Sequence, residues 1–150
     1  MALEVRKMTP EWEQPLIEFF SSLDDATQEL FHPHPFTPAQ ARELARYKGD
    51  DSYYLLVDDA RIVAYGMLRG WDEGYEVPSL GIAVHPQWRG KKYGELLMHF
   101  LHAAARSRGA KKIRLKVYTR NTAAVQLYAR LGYEFGQEIA GGQQVGILKL

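Results

Sequence analysis

The feature that most constrains the fold is a short apolar segment followed by the clearest helical pattern in the chain. Residues Leu80 to Val84 are almost all apolar, which is typical of a strand covered on both faces, and His85-Pro86 ends that strand. A helix is then predicted up to Gly109, because apolar residues recur at the spacing of one helix face. They are Tyr93, Leu96, Leu97, Phe100, Leu101 and Ala104. This unit predicts a central strand with a helix packed on its sheet.

The turn inside this unit has the composition of a phosphate-binding turn. Gly90 allows the backbone to approach a ligand closely, and the first N–H groups of a helix have no partner within the helix. The helix dipole places about half a positive charge at the same end, and Arg89, Lys91 and Lys92 add local positive charge. The alternative is an ordinary basic turn that begins a helix. The glycine spacings of the dinucleotide fingerprint and of the P-loop are absent, so an ordinary NAD or ATP site is not predicted.

The rest of the chain interleaves strands and helices within one domain, residues 1–150. Strands are predicted over 3–8, 53–57, 61–68, 113–117, 133–139 and 144–150, with hairpin turns at Asp58-Asp59 and Gly141-Gly142. Helices are predicted after Thr9-Pro10, Thr37-Pro38 and Asn121. This order predicts an α/β fold of the mixed α+β kind, with a central mixed sheet rather than a purely parallel one.

Composition excludes several classes of protein. The 19 Lys and Arg residues nearly balance the 18 Asp and Glu residues, so the chain has no global positive field for nucleic acid or an anionic membrane. The absence of cysteine excludes disulfides, thiolate metal sites and a cysteine nucleophile. Charges interrupt the N-terminal stretch, and no apolar run approaches the roughly 18 residues of a membrane span. We therefore expect a cytoplasmic protein with neither nucleic acid nor membrane as a partner.

Two motifs in the same order resemble those of the GNAT superfamily of N-acetyltransferases. The segment from Val84 to Gly94 is similar to the acetyl-CoA-binding motif of that family, Q/R-x-x-G-x-G/A, with Arg89 at its first position. The segment from Asn121 to Phe135 resembles the second signature, in which an asparagine precedes a helix that carries Leu-Tyr and ends in Leu-Gly-Phe/Tyr. The resemblance spans the chain, with residues 1–75 matching in outline. It implies a single-domain GNAT-like fold: a mixed, mostly antiparallel sheet with a splayed parallel strand pair and helices on both faces.

The resemblance also implies roles for individual residues. The backbone of Ile82, Ala83 and Val84 would bond the pantetheine arm and thioester of acetyl-CoA. The pyrophosphate would be bound by Arg89, Gly90, Lys91, Lys92, Tyr93 and Gly94. Asn121 would contact the cofactor, and Tyr128 would face its sulfur as the general acid. A phenol of pKa near 10 lies within about two units of an alkyl thiol, so it can protonate the leaving thiolate. Without the resemblance, Tyr128 reads as an ordinary core aromatic.

Lys92 departs from the motif, which has glycine at this position. A lysine is tolerated there if its φ is negative, and its side chain would then add a point charge for a cofactor phosphate. We therefore expect cofactor binding at this turn to survive the substitution.

The general base is the least determined group of the site. Many family members carry a glutamate where this chain has Pro78, and relatives that act on ribosomal-protein N-termini carry one where this chain has Lys116. Three acids precede the central strand: Asp72, Glu73 and Glu76. We assign Glu76 as the base, because it lies two residues before Pro78 and shares its face if the strand extends that far. The alternative for each acid is a solvated loop charge.

The acceptor side is predicted from histidines and aromatic residues. His32 and His34 are interpreted as loop residues that border an acceptor pocket rather than as metal ligands, because cysteine and a nearby acidic pattern are absent. His85 is assigned to the turn. Candidates for the acceptor side, or alternatively for the core, are Tyr53, Tyr54, Trp71 and Tyr75.

Together these features predict an acetyl-CoA-dependent N-acetyltransferase that acts on a primary amine of a small molecule or peptide by direct attack in a ternary complex. A non-catalytic acyl-CoA-binding or regulatory module is one alternative, and a general nucleotide-binding domain is another. Residues 145–150 are expected to form either the edge of a homodimer or plain core. The identity of the acceptor and the length of the acyl chain stay open.

Overall fold

The computed structural model describes residues 2–139 and 141–150, which build one mixed sheet. Its strands are β1 (Leu3–Lys7), β2 (Ser52–Asp58), β3 (Arg61–Arg69), β4 (Ser79–Val84), β5 (Lys112–Tyr118), β6 (Glu134–Ile139) and β7 (Gln143–Lys149). They follow the order β1-β2-β3-β4-β5-β7-β6 across the sheet. The β4–β5 pair is parallel, and the other neighbouring pairs are antiparallel. The predicted mixed, mostly antiparallel sheet with a near-central β4 is confirmed.

Helices cover both faces of this sheet. They are α1 (Glu13–Ser22), α2 (Asp25–Leu30), α3 (Pro38–Ala45), α4 (Tyr93–Ser107) and α5 (Thr122–Arg130). On one face, Phe19 and Phe20 of α1 pack with Tyr65 of β3, and α3 joins the same cluster. On the other, Leu97 of α4 packs with Ile113 of β5, and α5 lies against that cluster. We call these the α1 face and the α4 face.

Local capping explains where three of the helices begin. Thr37 accepts a hydrogen bond from the N–H of Gln40 at 3.1 Å, and Asn121 accepts one from the N–H of Ala124 at 3.4 Å. Both predicted starts are confirmed. The sequence analysis missed α2, which is capped by Asp24. None of the residues of α2 is buried, so the apolar periodicity that reveals a helix is absent there.

The buried face of α4 differs in part from the predicted one. Tyr93, Leu97 and Leu101 are buried as expected, but Leu96 is 44% exposed and the fully buried Met98 takes part in the core instead. A helical apolar stripe is broad, and residues at its margins are buried only if a neighbouring element covers them. Here the sheet covers the margin that carries Met98.

The C-terminal strand is not an edge of the sheet. Residues 143–149 form β7, which pairs with β5 on one side and with β6 on the other. Of the two alternatives for residues 145–150, a free sheet edge is therefore excluded for β7, because both of its hydrogen-bonding sides are occupied. In the part of the chain that the structure describes, none of the helices is long and apolar enough to span a bilayer.

Candidate active site

Strands β4 and β5 are joined only where they begin. Ser79 pairs with Arg114, and the N–H of Arg114 donates to the carbonyl of Pro78 at 3.0 Å. Beyond that point each strand keeps its other neighbour, since β4 pairs with β3 up to Val84 and β5 pairs with β7 up to Tyr118. The parallel strands therefore diverge and leave a wedge, which we call the β4–β5 gap. This is the splayed parallel pair that the resemblance implies.

The predicted backbone partners of the cofactor line up along the gap side of β4. Ile82 and Val84 pack on the α4 face, whereas Ala83 is buried on the α1 face. The backbone of these residues pairs with β3, where Ala83 lies opposite Tyr65. Because the pairing with β5 has ended before these residues, the strand edge that faces the gap is open to a ligand in extended conformation.

The N-terminus of α4 lies just beyond β4. Like α1, it has no side-chain cap, whereas α2, α3 and α5 are capped by side chains. A cleft of about 300 Å³ opens there between α4, α5 and the turn. It is lined by Val84, Trp88, Arg89, Gly90, Lys92, Tyr93, Gly94, Glu95, Leu127 and Arg130. Uncapped amides at the positive end of a helix dipole are suited to phosphate oxygens.

Two residues of the turn have a positive φ. Gly90 has a φ of 78°, and an added Cβ would meet nothing within 4 Å, so conformation alone favours glycine there. Lys92 has a φ of 63°. The condition of a negative φ is therefore not met, because Lys92, directly before α4, takes the left-handed conformation. This conformation costs a lysine about 1–2 kcal/mol.

Close packing accounts for the next two positions of the motif. A Cβ on Gly94 would lie 3.1 Å from Cγ2 of Val84, so glycine lets α4 approach β4 closely. Tyr93 is only 9% exposed and belongs to the core cluster with Leu97. Tyr93 therefore offers a ligand its backbone N–H rather than its phenol.

Positive charge surrounds the turn. Its exposed cations are Arg89, Lys91 and Lys92. Arg89 donates from Nη2 to the hydroxyl of Thr27 in α2, which links that helix to the turn. Across the cleft, Arg130 of α5 pairs with Glu95 at 2.8 Å and holds the pKa of Glu95 below its ordinary value. This pair neutralises the acid in the first turn of α4.

Tyr128 lies on α5, on the α4 face, with its ring 5.9 Å from that of Tyr133. Burial raises the pKa of Tyr128 to about 12, so its phenol is protonated at neutral pH. The hydroxyl of Tyr133 is bonded to Nε2 of His102 at 2.8 Å, whereas none of the described residues forms a hydrogen bond with the hydroxyl of Tyr128. Tyr128 lines neither this cleft nor the cavity described next.

A larger cavity, of about 990 Å³, opens at the other end of β4, where the gap begins. Ser79, Leu80 and Gly81 of β4 form its wall. The remaining lining comes from the end of α2 and the segment after it, the end of β3 and the loop that follows it, and β5 and β7. These residues are Leu30, Phe31, His32, Pro33, Met67, Arg69, Gly70, Glu73, Gly74, Tyr75, Glu76, Val77, Arg114, Lys116 and Gln143. One strand therefore has the phosphate-type cleft at its end and this cavity at its start.

The structure divides the predicted acids. Glu73 and Glu76 both line the cavity, whereas Asp72 does not. The hydroxyl of Tyr47 donates to Asp72 and is the largest cause that lowers the pKa of this carboxyl. Glu76 is exposed and lies outside β4, which begins at Ser79, so the argument that it shares a strand face with Pro78 is wrong.

The predicted acceptor residues are divided in the same way. Tyr75 and His32 line the cavity, and His32 stacks on Tyr118 with ring centroids 5.9 Å apart. His34 instead bonds the hydroxyl of Tyr65 in the core at 2.8 Å. Nδ1 of His85 accepts from the N–H of Gln87, as expected of a turn residue.

The three aromatic residues that remain serve the core or the surface. Tyr53 is buried on the α1 face, and Tyr54 packs on Phe100 of α4. The guanidinium of Arg108 lies over the ring of Trp71, 3.6 Å from the ring centroid. Of the four aromatic candidates, Tyr75 alone reaches the cavity.

Sequence reasoning missed the cations of the cavity: Arg69, Arg114 and Lys116. The last two alternate with Ile113, Leu115 and Val117 along β5, and this pattern predicted a strand with one solvated face. The strand was correct, but this face forms the floor of a cavity. The alternation fixes which residues share a face and not what lies over that face.

A family model described as the acetyltransferase (GNAT) family matches residues 16–133. The chain belongs to this family. The resemblance inferred from the two motifs is therefore confirmed. The acetyltransferases of this family are acyltransferases, so family membership supports acetyl transfer in general.

Solved structures with the same fold extend over nearly the whole chain. The GNAT domain of S. lividans PAT has a TM-score of 0.85 at 15% identity, covering 99% of this chain and 90% of that one. The PaiA N-acetyltransferase from Thermoplasma acidophilum, in complex with coenzyme A, has a TM-score of 0.80 at 17% identity and covers 100% of both. The ribosomal-protein-S18-alanine N-acetyltransferase from Escherichia coli has a TM-score of 0.71 at 16% identity, covering 97% of this chain and 91% of that one. These likenesses establish the fold.

Proposed function

We propose that this chain is an acetyl-CoA-dependent N-acetyltransferase that acetylates a primary amine of a small molecule or peptide by direct attack in a ternary complex. The observation that carries the proposal is the β4–β5 gap, with the uncapped end of α4 at one end of β4 and a cavity of about 990 Å³ at the other. One strand edge thus joins a place for a diphosphate to a place for an amine.

The binding of acetyl-CoA follows from the turn and the strand. Its diphosphate lies over the amides at the start of α4, where Gly90 leaves open space and Lys91 and Lys92 supply charge. Its pantetheine arm extends along the open edge of Ile82 to Val84, which is free of β5. The side-chain oxygen of Asn121 accepts the hydrogen bond that caps α5, so this residue is held at the start of that helix. We place its contact with the cofactor there.

The chemistry needs a polarised carbonyl and a proton for the leaving sulfur. Backbone N–H groups on the gap side of β4 stabilise the oxyanion that forms when the amine nitrogen attacks the thioester carbon. As the carbon–sulfur bond breaks, the electron pair goes to sulfur, and the hydroxyl of Tyr128 donates its proton to the thiolate. A pKa of about 12 keeps Tyr128 protonated beforehand. Desolvation in the gap also raises the pKa of the leaving thiol, which reduces the pKa difference between this thiol and the phenol of Tyr128.

The amine must reach the carbonyl unprotonated. Glu76 and Glu73 are the carboxylates that line the cavity, and we assign Glu76 as the base that takes the proton of the amine. Glu76→Gln is expected to lower kcat/KM by about 10²-fold, whereas Glu73→Gln is the matched control and changes it only a few-fold. The opposite ranking in steady-state assays would move the role to Glu73.

The proposed function is tested by release of free thiol. The protein is incubated with acetyl-CoA and a panel of primary amines, and amine-dependent formation of coenzyme A is expected. Tight binding of acetyl-CoA without thiol release for any amine would favour the non-catalytic binding module.

Calorimetry distinguishes the proposed function from the remaining alternative, a general nucleotide-binding domain. Coenzyme A is expected to bind more tightly than ATP, because only coenzyme A has an arm that can occupy the β4–β5 gap. Equal affinities for the two would favour a general nucleotide-binding domain.

A further inference from the structure

The floor of the large cavity carries a cluster of positive charge on the α1 face. Arg114 and Lys116 of β5 both line it, and they lie on the same face because Leu115 between them is buried on the α4 face. Arg69, the last residue of β3, lines the same cavity. The cluster is local, since the whole chain has a net charge of only +1.

These cations have no counter-ion in the part of the chain that the structure describes. The ion pairs there lie elsewhere and join Arg6 to Glu4, Arg46 to Glu13 and Arg130 to Glu95. Arg69 donates to the carbonyl of Pro33 at 3.0 Å, which orients its guanidinium. The described residues offer no hydrogen-bond partner to the charged groups of Arg114 and Lys116, although Arg114 is half-buried. Lys116 is exposed, so the desolvation argument applies to Arg114. Removing its guanidinium from water without a counter-ion is unfavourable, so this part of the floor is suited to an anion.

The acids of the cavity lie apart from this floor. Glu73 and Glu76 belong to the loop between β3 and β4, and neither approaches a floor cation within ion-pair distance. The cavity therefore has a negative rim on one segment and a positive floor on another. A ligand that matches both carries an ammonium group and an anion.

We propose that the acceptor is a small primary amine that carries an anionic group, a carboxylate or a phosphate ester, and that Arg114 and Lys116 bind this group. The guanidinium of Arg114 presents paired donors to two oxygens of the anion, and Lys116 adds a point charge. The amine then lies toward Glu76 and the thioester end of β4. This inference rests on the proposed function and specifies its substrate class.

The test compares amines in matched pairs. Each pair has the same amine with and without the anion: 4-aminobutyrate with 4-aminobutanamide, several α-amino acids with their amides, and phosphoethanolamine with ethanolamine. The protein is first saturated with coenzyme A, which prevents turnover, and binding is followed by calorimetry and by amide chemical shifts of β4 and β5. At least one anionic member is expected to bind about 10- to 100-fold more tightly than its neutral partner. The carboxylate and phosphate pairs show which anion is preferred.

Variants identify the residues responsible. Arg114→Gln and Lys116→Gln are each expected to remove most of the preference and to raise KM for the anionic amine about tenfold or more. Lys112→Gln is the matched control, because Lys112 lies on the same face of β5 but does not line the cavity, and it should keep the preference. Each variant is checked for unchanged coenzyme A affinity, which shows that the fold is retained.

The outcomes separate this inference from the proposed function. Normal coenzyme A binding with equal affinity for both members of every pair, or with no binding of any anionic amine, overturns the inference and leaves the proposed function standing. A preference that persists in both Arg114→Gln and Lys116→Gln also overturns it. Loss of coenzyme A binding in the unmodified protein overturns both.

Discussion

The basic turn before α4 and the cavity of about 990 Å³ lie at opposite ends of β4 and are built in different ways. The turn is formed by consecutive residues, 84–94, and its chemistry comes from backbone amides and from φ angles at Gly90 and Lys92. The cavity is formed by side chains from five separate parts of the chain, from Leu30 to Gln143. A site made of backbone can keep one geometry while side chains vary, whereas a site made of side chains changes its ligand with each substitution. Under the proposed function, the first region would hold the co-substrate and the second would set the acceptor specificity.

The largest expected effect concerns the chemistry between the two regions. Tyr128→Phe should lower turnover by about 10²–10⁴-fold, the range for a lost general acid, with coenzyme A affinity unchanged in calorimetry. Tyr133→Phe is the matched control, because it removes a hydroxyl from the ring next to Tyr128. That hydroxyl is hydrogen-bonded to His102 and has no role in the proposed proton transfer. Near-normal turnover of Tyr128→Phe would remove the acid from the mechanism.

The second effect concerns α4, the helix on which the turn depends. Burial lowers the pKa of His102 to about 4, and the charges of His99 and Arg106 on the same helix lower it further. The hydroxyl of Tyr133, which lies outside α4, forms a hydrogen bond with Nε2 of His102. The unfolded chain, with an ordinary pKa near 6.5, therefore binds the proton more readily. The contribution of His102 to stability is complete above about pH 6.5, and about 3 kcal/mol of it is lost as the pH drops to 4.

Urea unfolding at pH 7 and pH 4 measures this loss. His102→Gln should flatten the dependence, because glutamine does not titrate and can still bond the hydroxyl of Tyr133. The exposed His99 is the control position, and His99→Gln should keep most of the slope. An unchanged slope in His102→Gln would show that other groups cause the loss.

The third effect tests the backbone-made region directly. Gly90→Asp should weaken coenzyme A binding about 10- to 100-fold, because it places a negative charge beside the diphosphate and strains a positive φ. Gly109→Asp is the matched control, since Gly109 also has a positive φ, 92°, and open space, but lies at the far end of α4. Equal losses of affinity in the two variants would contradict the location of the diphosphate.

The smallest effect tests the strain at Lys92. Lys92→Gly should raise stability by about 1 kcal/mol, because glycine adopts the left-handed conformation without the steric cost. Lys92→Ala keeps the strain and removes the same charge. Chemical denaturation should therefore separate the two variants, while both lower coenzyme A affinity to a similar extent. A stability gain as large in Lys92→Ala would exclude backbone strain as its cause.

Features that depend on neighbours in the chain were predictable. The caps Thr37 and Asn121, the hairpins and the order of strands and helices all follow from local patterns, and the two motifs led to the family. The exceptions have local causes too. The helix α2 buries no side chain and so has no apolar period, and Lys92 takes a positive φ that its residue type does not predict.

Features that depend on distant neighbours were not predictable. Leu96 and Met98 are similar in apolar character, and the sheet decides that only Met98 is buried. Glu73 and Asp72 are adjacent acids, yet one lines the cavity and the other is held by Tyr47.

The sequence by itself determined the elements, the phosphate-type turn and the family, because hydrogen bonding and side-chain periodicity within a segment carry that information. The tertiary structure alone decided which charges share the large cavity and that β7 is an inner strand. The physical reason is that a strand's pattern sorts its residues onto two faces, whereas burial, charge pairing and cavity formation depend on what the rest of the chain places over each face.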